Sequence, residues 1–288
     1  MYQTIRSATS ERLAVRGLCY HFHRWGSSDA PPVLLLHGWM DCGASFQFLV
    51  DHLPQGWHLI APDWRGFGDS EWAQGGYYFP EYLADLDIII DHFSPNAGVA
   101  LVGHSMGGNI ASLYAGIRPQ RVSRLVSLEG FGLPPTRPEQ APTRYRSWMD
   151  QQREDWTPRH YPNFDALARK LSKNNPRLGD DRAAFVARCW ARESEGKQIV
   201  LRADPRHRTR NPILYRLEES RACWTQTQAQ TLWITGSASP FAKMHGAVMD
   251  ANRRCYRELR EAVIPDAGHM LHHDQPERLA EALIEFLS

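Results

Sequence analysis

Between residues 13 and 25, in LAVRGLCYHFHRW, side-chain character alternates with period two, the pattern of half-buried strands in an antiparallel hairpin. The pattern then changes. Val33 to Leu36 is an unbroken apolar run, and similar runs recur at Trp57 to Ala61, Val99 to Val102, Leu125 to Leu128, Leu232 to Thr235 and Ala262 to Ile264. A strand without a polar face needs both faces covered, which predicts a mostly parallel sheet between layers of helix. Helical candidates fall between the runs, at Ala44 to Leu53, Pro80 to Phe93, Met106 to Ile117, Met244 to Arg253 and Pro276 to Leu287, several of them opened by Pro or Ser. Strand and helix thus alternate in the order of right-handed β-α-β units, whose ligands bind at the carboxyl ends of the strands.

The alternation fails between Leu133 and Thr227. Pro134, Pro135, Pro138 and Pro142 open a stretch whose apolar positions (Trp148, Trp156, Phe164, Leu167, Leu171, Phe185, Trp190 and Leu201 among them) are mostly helix-spaced. This predicts an α/β core formed by residues 1–132 and 228–288, with residues 133–227 as a helical cap inserted after the sixth strand and lying over the strand ends. Trp148, Trp156, Phe185 and Trp190 either line an acyl pocket or, more plainly, form the cap's own core.

Charge sharpens this division. The net charge of +1 argues against a dedicated nucleic-acid binder. From Leu133 to Gln226, however, 16 Arg and 3 Lys stand against 12 Asp and Glu, a local excess of +7. Such an excess suits an anionic substrate group or a weak contact with an anionic surface; the plainer alternative is a solvated face. The five cysteines are scattered and without C-x-x-C pairing, so neither a disulfide framework nor a metal site is expected. Residues 1–16 hold no apolar run of secretory length, and nowhere do eighteen apolar residues follow one another, so the expected setting is cytoplasmic.

The chemistry gathers on the core. In ALVGHSMGGNIASLYA an apolar strand runs into Gly103-His104-Ser105-Met106-Gly107 and then directly into a helix, which is G-x-S-x-G in the context it requires. Glycines flank Ser105 because the turn is too tight for side chains, and the turn exposes a nucleophilic hydroxyl at a helix amino terminus. A serine needs a base. His269 in PDAGHMLHHDQPE follows the last strand with Gly268 beside it, whereas His272 and His273 more plainly line a first helical turn or solvent. The acid that orients the imidazole is not where this template commonly has it, because the loop after Thr231 to Thr235 reads GSASP and Ser239 carries no charge. Glu129 in RLVSLEGFG, directly after the preceding strand, is the leading substitute; Asp204 and Asp266 are the alternatives. The backbone N–H groups of Trp39 and Met106 are the candidate oxyanion donors.

Taken together, HGWMD (37–41), DWRGFGDS (63–70), GHSMGG (103–108), LEGFG (128–132) and DAGHMLHHDQPE (266–277) resemble the α/β-hydrolase superfamily. An acid after the sixth strand and RADPRHR (202–208) are similar to its serine-hydrolase-like group of esterases. The resemblance implies a mostly parallel eight-stranded sheet and a small-molecule acyl substrate cleaved through an acyl-enzyme, without metal or organic cofactor. Ester is the leading substrate class, with thioester, lactone and carbon–carbon bonds open on the same triad. A non-catalytic ligand receptor on the same fold is the remaining alternative. Haloalkane dehalogenases and epoxide hydrolases carry Asp at the elbow, so Ser105 argues against both.

Overall fold

The computed structural model of the protein describes residues 2–240 and 246–288. The chain opens with a hairpin of β1 (Thr9–Val15) and β2 (Leu18–Trp25). Its two-residue turn, Arg16-Gly17, has φ of 48° and 82°, the left-handed pair that matches strand twist. There follow β3 (Pro32–Leu36), α1 (Gln47–Val50), β4 (His58–Pro62), α2 (Phe79–Phe93), β5 (Val99–His104), α3 (Met106–Ile117) and β6 (Val122–Leu128). The eight-stranded sheet is completed by β10 (Gln230–Gly236) and β11 (Leu259–Ile264), in the order β1-β2-β4-β3-β5-β6-β10-β11. From β4 to β11 every neighbouring pair is parallel; β2 is antiparallel to both β1 and β4.

The unbroken apolar runs divide between two cores. Leu34 and Leu36 of β3, Leu101 of β5 and Leu125 of β6 face one helical layer, with Leu86 of α2 and Ile110 of α3. Their neighbours Val33, Leu35, Val102 and Val126 face the other, with Leu49 of α1 and Leu283 of the final helix, Pro276–Leu287. Alternate burial on two faces is what an unbroken apolar strand encodes. The edge strand β11 is longer than the Ala262 to Ile264 run announced, because Arg260 and Glu261 are exposed there.

The helix expected over Ala44 to Leu53 is reduced to a 3-10 turn, Gly43–Phe46, and the single α turn α1. Its amino end is held by Asp63, which accepts the Gly43 N–H at 2.7 Å. At the other end the His52 and Leu53 amides bond three residues back, and Pro54 disfavours a helical Leu53. The late helix begins at Ala247 and ends at Arg253; Met244 and His245 of the expected Met244 to Arg253 segment lie outside the described residues.

Between β6 and β10 the chain forms α4 (Ala141–Gln151), β7 (His160–Tyr161), α5 (Phe164–Asn174), α6 (Asp180–Trp190), β8 (Ala191–Glu193), β9 (Ile199–Leu201) and α7 (Leu217–Trp224). The three short strands make an antiparallel sheet, β7-β9-β8, which helix spacing did not announce. Leu167, Leu171 and Val186 are buried together, with Phe164, Phe185, Trp190 and Leu201 half-buried around them. By contrast, α7 joins the main core through Leu217 and Trp224. The inserted segment is tied to the core by directed bonds: Trp190 Nε1–H donates to Asp41 at 2.8 Å and Trp72 Nε1–H to the Arg202 carbonyl at 2.9 Å. Among the described residues no helix is long and apolar enough to cross a membrane.

Candidate active site

Strand β5 passes through Ser105 into α3 by a backbone that only a forced turn adopts. Ser105 has φ 50° and ψ −110°, a conformation costing on the order of 1–3 kcal/mol for a non-glycine residue. The surroundings hold it there. Its N–H donates to the Leu128 carbonyl at the end of β6, and its carbonyl accepts from Asn109 inside α3, at 2.8 and 3.0 Å. Gly107 cannot carry a side chain, since a Cβ would lie 2.1 Å from the Leu36 carbonyl oxygen. The Ser105 side is half-buried, at the carboxyl edge of the sheet.

Glu129 leaves β6 with a second left-handed backbone, φ 59°, which turns its side chain across the sheet edge to β10. One carboxylate oxygen accepts the Gly236 N–H at 2.7 Å. The other accepts the Ser239 hydroxyl at 2.5 Å and faces His269 Nδ1 at 3.2 Å. Glu129 is 2% exposed, so this carboxylate is a buried acid fully engaged by donors. Asp204 is elsewhere: it caps a 3-10 turn, accepts from Tyr77 at 2.7 Å and pairs with Arg206. Asp266 points to solvent, with its carboxylate 4.0 Å from Arg278. Of the three acids put forward from sequence, only Glu129 meets His269 among the described contacts.

The loop after β3 comes against Ser105 from the other side. A Cβ placed on Gly38 would lie 3.3 Å from the Ser105 Cβ and 2.8 Å from His104 Nδ1, so the backbone approaches where only glycine fits. His37 fixes this loop: its Nδ1–H donates to the Gly38 carbonyl at 2.7 Å and its Nε2 accepts the Trp64 N–H at 2.9 Å. Trp39 follows with a half-exposed ring, and Met106 N opens the first turn of α3, where amides have no partner within the helix.

Residues not singled out from sequence bind these loops together. His104, beside Ser105, donates through Nε2–H to the His269 carbonyl at 2.8 Å, tying the elbow to the histidine loop. Burial, with the His272 and His269 rings nearby, holds its pKa well below the usual range. His272 and His273, expected at a helical turn or in solvent, are in a helical turn, Leu271–Asp274, but are 0% and 2% exposed. Burial first, then neighbouring imidazoles, pushes each down to about 3. They are pulled inward because the turn packs Leu271 into the core and His272 against Phe46, with ring centroids 5.0 Å apart. No sequence signal separates these histidines from surface ones; Ser239, already conspicuous as the missing Asp, was the one such position visible beforehand.

Among the described residues, two groups have the composition of metal ligands. Asp41, His104 and His272 offer atoms within 4.8 Å of one another, as do His21, His23 and Asp63. Their carboxylates are already engaged: Asp41 accepts from Ser45 and Trp190, both at 2.8 Å, and Asp63 from His21, Gly43 and Asp69 at 2.7 to 3.0 Å. Through these bonds Asp63 holds the Gly43 end of the turn, and Asp41 ties Ser45 to Trp190.

Strand order, elbow and carboxyl-edge site together define a class. A family model for the alpha/beta hydrolase fold matches residues 31–276, and the chain belongs to that family. Among curated relatives it is 28% identical to a serine hydrolase-like protein of Danio rerio, over 99% of this chain and 90% of that one. It is 26% identical to serine hydrolase-like protein 2 of Homo sapiens, over 91% and 88% of the two chains. The serine-hydrolase-like resemblance read from the motifs is thus shared by whole-length relatives. Among solved structures, the thioesterase domain from the curacin biosynthetic pathway superposes with a TM-score of 0.86 at 22% identity, covering 97% of this chain and 99% of that chain. An esterase from Mycobacterium tuberculosis gives 0.77 at 21% identity, covering 98% and 92%.

Proposed function

We propose that the protein is a serine hydrolase that cleaves carboxylic esters through an acyl-enzyme on Ser105, with His269 as general base and Glu129 as the acid that orients it. The observation that carries this reading is the Glu129 carboxylate, buried and 3.2 Å from His269 Nδ1. Such a carboxylate keeps the proton on Nδ1 and leaves Nε2 to take the serine proton. The carbonyl oxygen of the substrate then gains negative charge, which the Trp39 and Met106 N–H groups stabilise at the positive end of α3. Protonated His269 next gives its proton to the leaving alcohol, and water repeats the cycle on the acyl-enzyme. Ser239 replaces a second charge with a hydroxyl that holds Glu129 in place.

In this reading the segment 133–227 is a cap that closes the site, its position fixed by the Trp190–Asp41 bond. Thioester cleavage is the second reading, favoured by the fold shared with a thioesterase domain. The same triad serves both, since the leaving group alone changes.

The test is a fluorophosphonate probe together with a panel of esters and thioesters of graded chain length. The expected result is stoichiometric labelling and ester turnover in the wild type, with both lost in Ser105→Ala. Labelling that persists in Ser105→Ala overturns Ser105 as nucleophile, and a wild type inert to both probe and panel overturns the reading in favour of a binding protein on this fold.

A further inference from the structure

A cavity of about 190 Å³ opens between the segment 133–227 and the turn after β3. It has room for roughly six water molecules, hence for a small substrate group of similar volume. Its near wall is Trp39 to Cys42, one residue beyond Gly38, which packs on Ser105. The cavity wall and the backbone that packs on Ser105 are thus consecutive in the chain.

Four cations from separate segments line it: Arg159 before β7, Lys170 on α5, Arg202 after β9 and Arg208 in a 3-10 turn. Arg202 is partly neutralised, pairing with Asp69 and donating to the Ala191 carbonyl. The side chains of Arg159, Lys170 and Arg208 have no ion pair or hydrogen bond among the described residues. The acid of the lining, Asp41, is buried and already accepts from Ser45 and Trp190. Arg159, Lys170 and Arg208 are all exposed at the rim of one concave, partly apolar cavity, where like charges gathered together raise the local concentration of anions.

We infer that the preferred substrates carry an anionic group, a carboxylate or a phosphate, remote from the ester carbonyl, and that this group sits against Arg159, Lys170 and Arg208. The inference rests on the hydrolase reading for its chemistry and on the cavity for its charge. Nothing covalent is added to the mechanism: the anion is held by charge and hydrogen bonds while Ser105 attacks the carbonyl.

Two matched pairs of esters separate the two sources of charge. The p-nitrophenyl monoester of glutaric acid against its methyl-capped diester places a carboxylate on the acyl side. In the second pair, 4-acetoxyphenyl phosphate against 4-methoxyphenyl acetate, a phosphate sits on the alcohol side. In at least one pair the wild type favours the anionic member by about tenfold in kcat/KM at low salt, and the preference shrinks as ionic strength rises to about 0.5 M. The triple variant Arg159→Gln, Lys170→Gln, Arg208→Gln brings the ratio near one, whereas Arg159→Lys with Arg208→Lys keeps it. A ratio near one in the wild type for both pairs, or a preference that survives neutralisation, overturns the inference.

Binding is read separately in Ser105→Ala, by quenching of indole fluorescence with monomethyl glutarate and with phenyl phosphate against their neutral esters. Charge-dependent binding without hydrolysis in the wild type would sink the hydrolase reading and leave the anion site standing. Ester turnover without charge preference or anion binding would sink the anion site alone.

Discussion

Glu129→Gln is expected to lower kcat by about three to four orders of magnitude while leaving the thermal midpoint within a few degrees of wild type. The reason lies in the donors around the side chain. Gly236 N–H faces one oxygen at 2.7 Å and can be satisfied only by an acceptor, so the glutamine carbonyl takes that place. The amide NH2 is then left facing the Ser239 hydroxyl and His269 Nδ1. Ser239 can rotate to accept, but the imidazole can do so only by moving its proton to Nε2, the nitrogen required to deprotonate the nucleophile. The variant should therefore fold and bind ester yet hold its base in the wrong tautomer. Stopped-flow turnover beside a melting curve checks this. Activity within tenfold of wild type would remove Glu129 from the triad, and neither Asp204 nor Asp266 is placed to take the role.

The second large effect is on stability in acid. In the native protein His272 and His273 are held to about 3, against an ordinary value of about 6.5. Above about pH 6.5 both are neutral whether the chain is folded or unfolded, and they contribute no pH dependence. Below it the unfolded chain takes up two protons that the native state refuses, so stability falls as pH falls. Each histidine costs about 1.4 kcal/mol per pH unit, which sums to about 4 kcal/mol for the pair at about pH 5. His104, likewise depressed by burial, acts in the same direction. A domain of this kind has only about 5–15 kcal/mol in hand. Urea midpoints measured from about pH 7.5 to about pH 5 should drop steeply, and His273→Leu should flatten the slope by about one proton. A flat profile over that range would mean that these rings are solvated in the native protein.

Much of the sheet could be read from the chain because its physics is local. Val33 to Leu36 and Val99 to Val102 are apolar on both faces, as a short strand buried between two helical layers requires. The helix Met106–Ile117 was delimited by the serine turn before it and was legible to the residue. The edge strand β11 was less so, since exposure of Arg260 and Glu261 depends on having no neighbour beyond it. Likewise, the helix expected over Ala44 to Leu53 gave way to a tighter turn because Asp63, far along the chain, captures Gly43.

The site divides in the same way. Ser105 and Met106 were named by a motif spanning a single turn, and His269 by its place after the last strand. Glu129 was named by subtraction, once Ser239 stood where a charge was wanted. What Ser239 does instead was not legible, because its contact with Glu129 joins two loops that only the parallel pairing of β6 and β10 brings together. The cation-lined cavity was legible only as an excess of arginine in residues 133–226. Which of those arginines lack a partner is decided by tertiary contacts.

The most direct test of the central claim is to stop turnover of a slowly deacylating ester in acid and map the modified peptide by mass spectrometry. One acyl group per chain is expected on Ser105, accumulating in the wild type and absent when His269 is replaced by alanine. Acyl-free protein during steady turnover of an ester whose deacylation limits the rate, or an acyl group on any other residue, would contradict it.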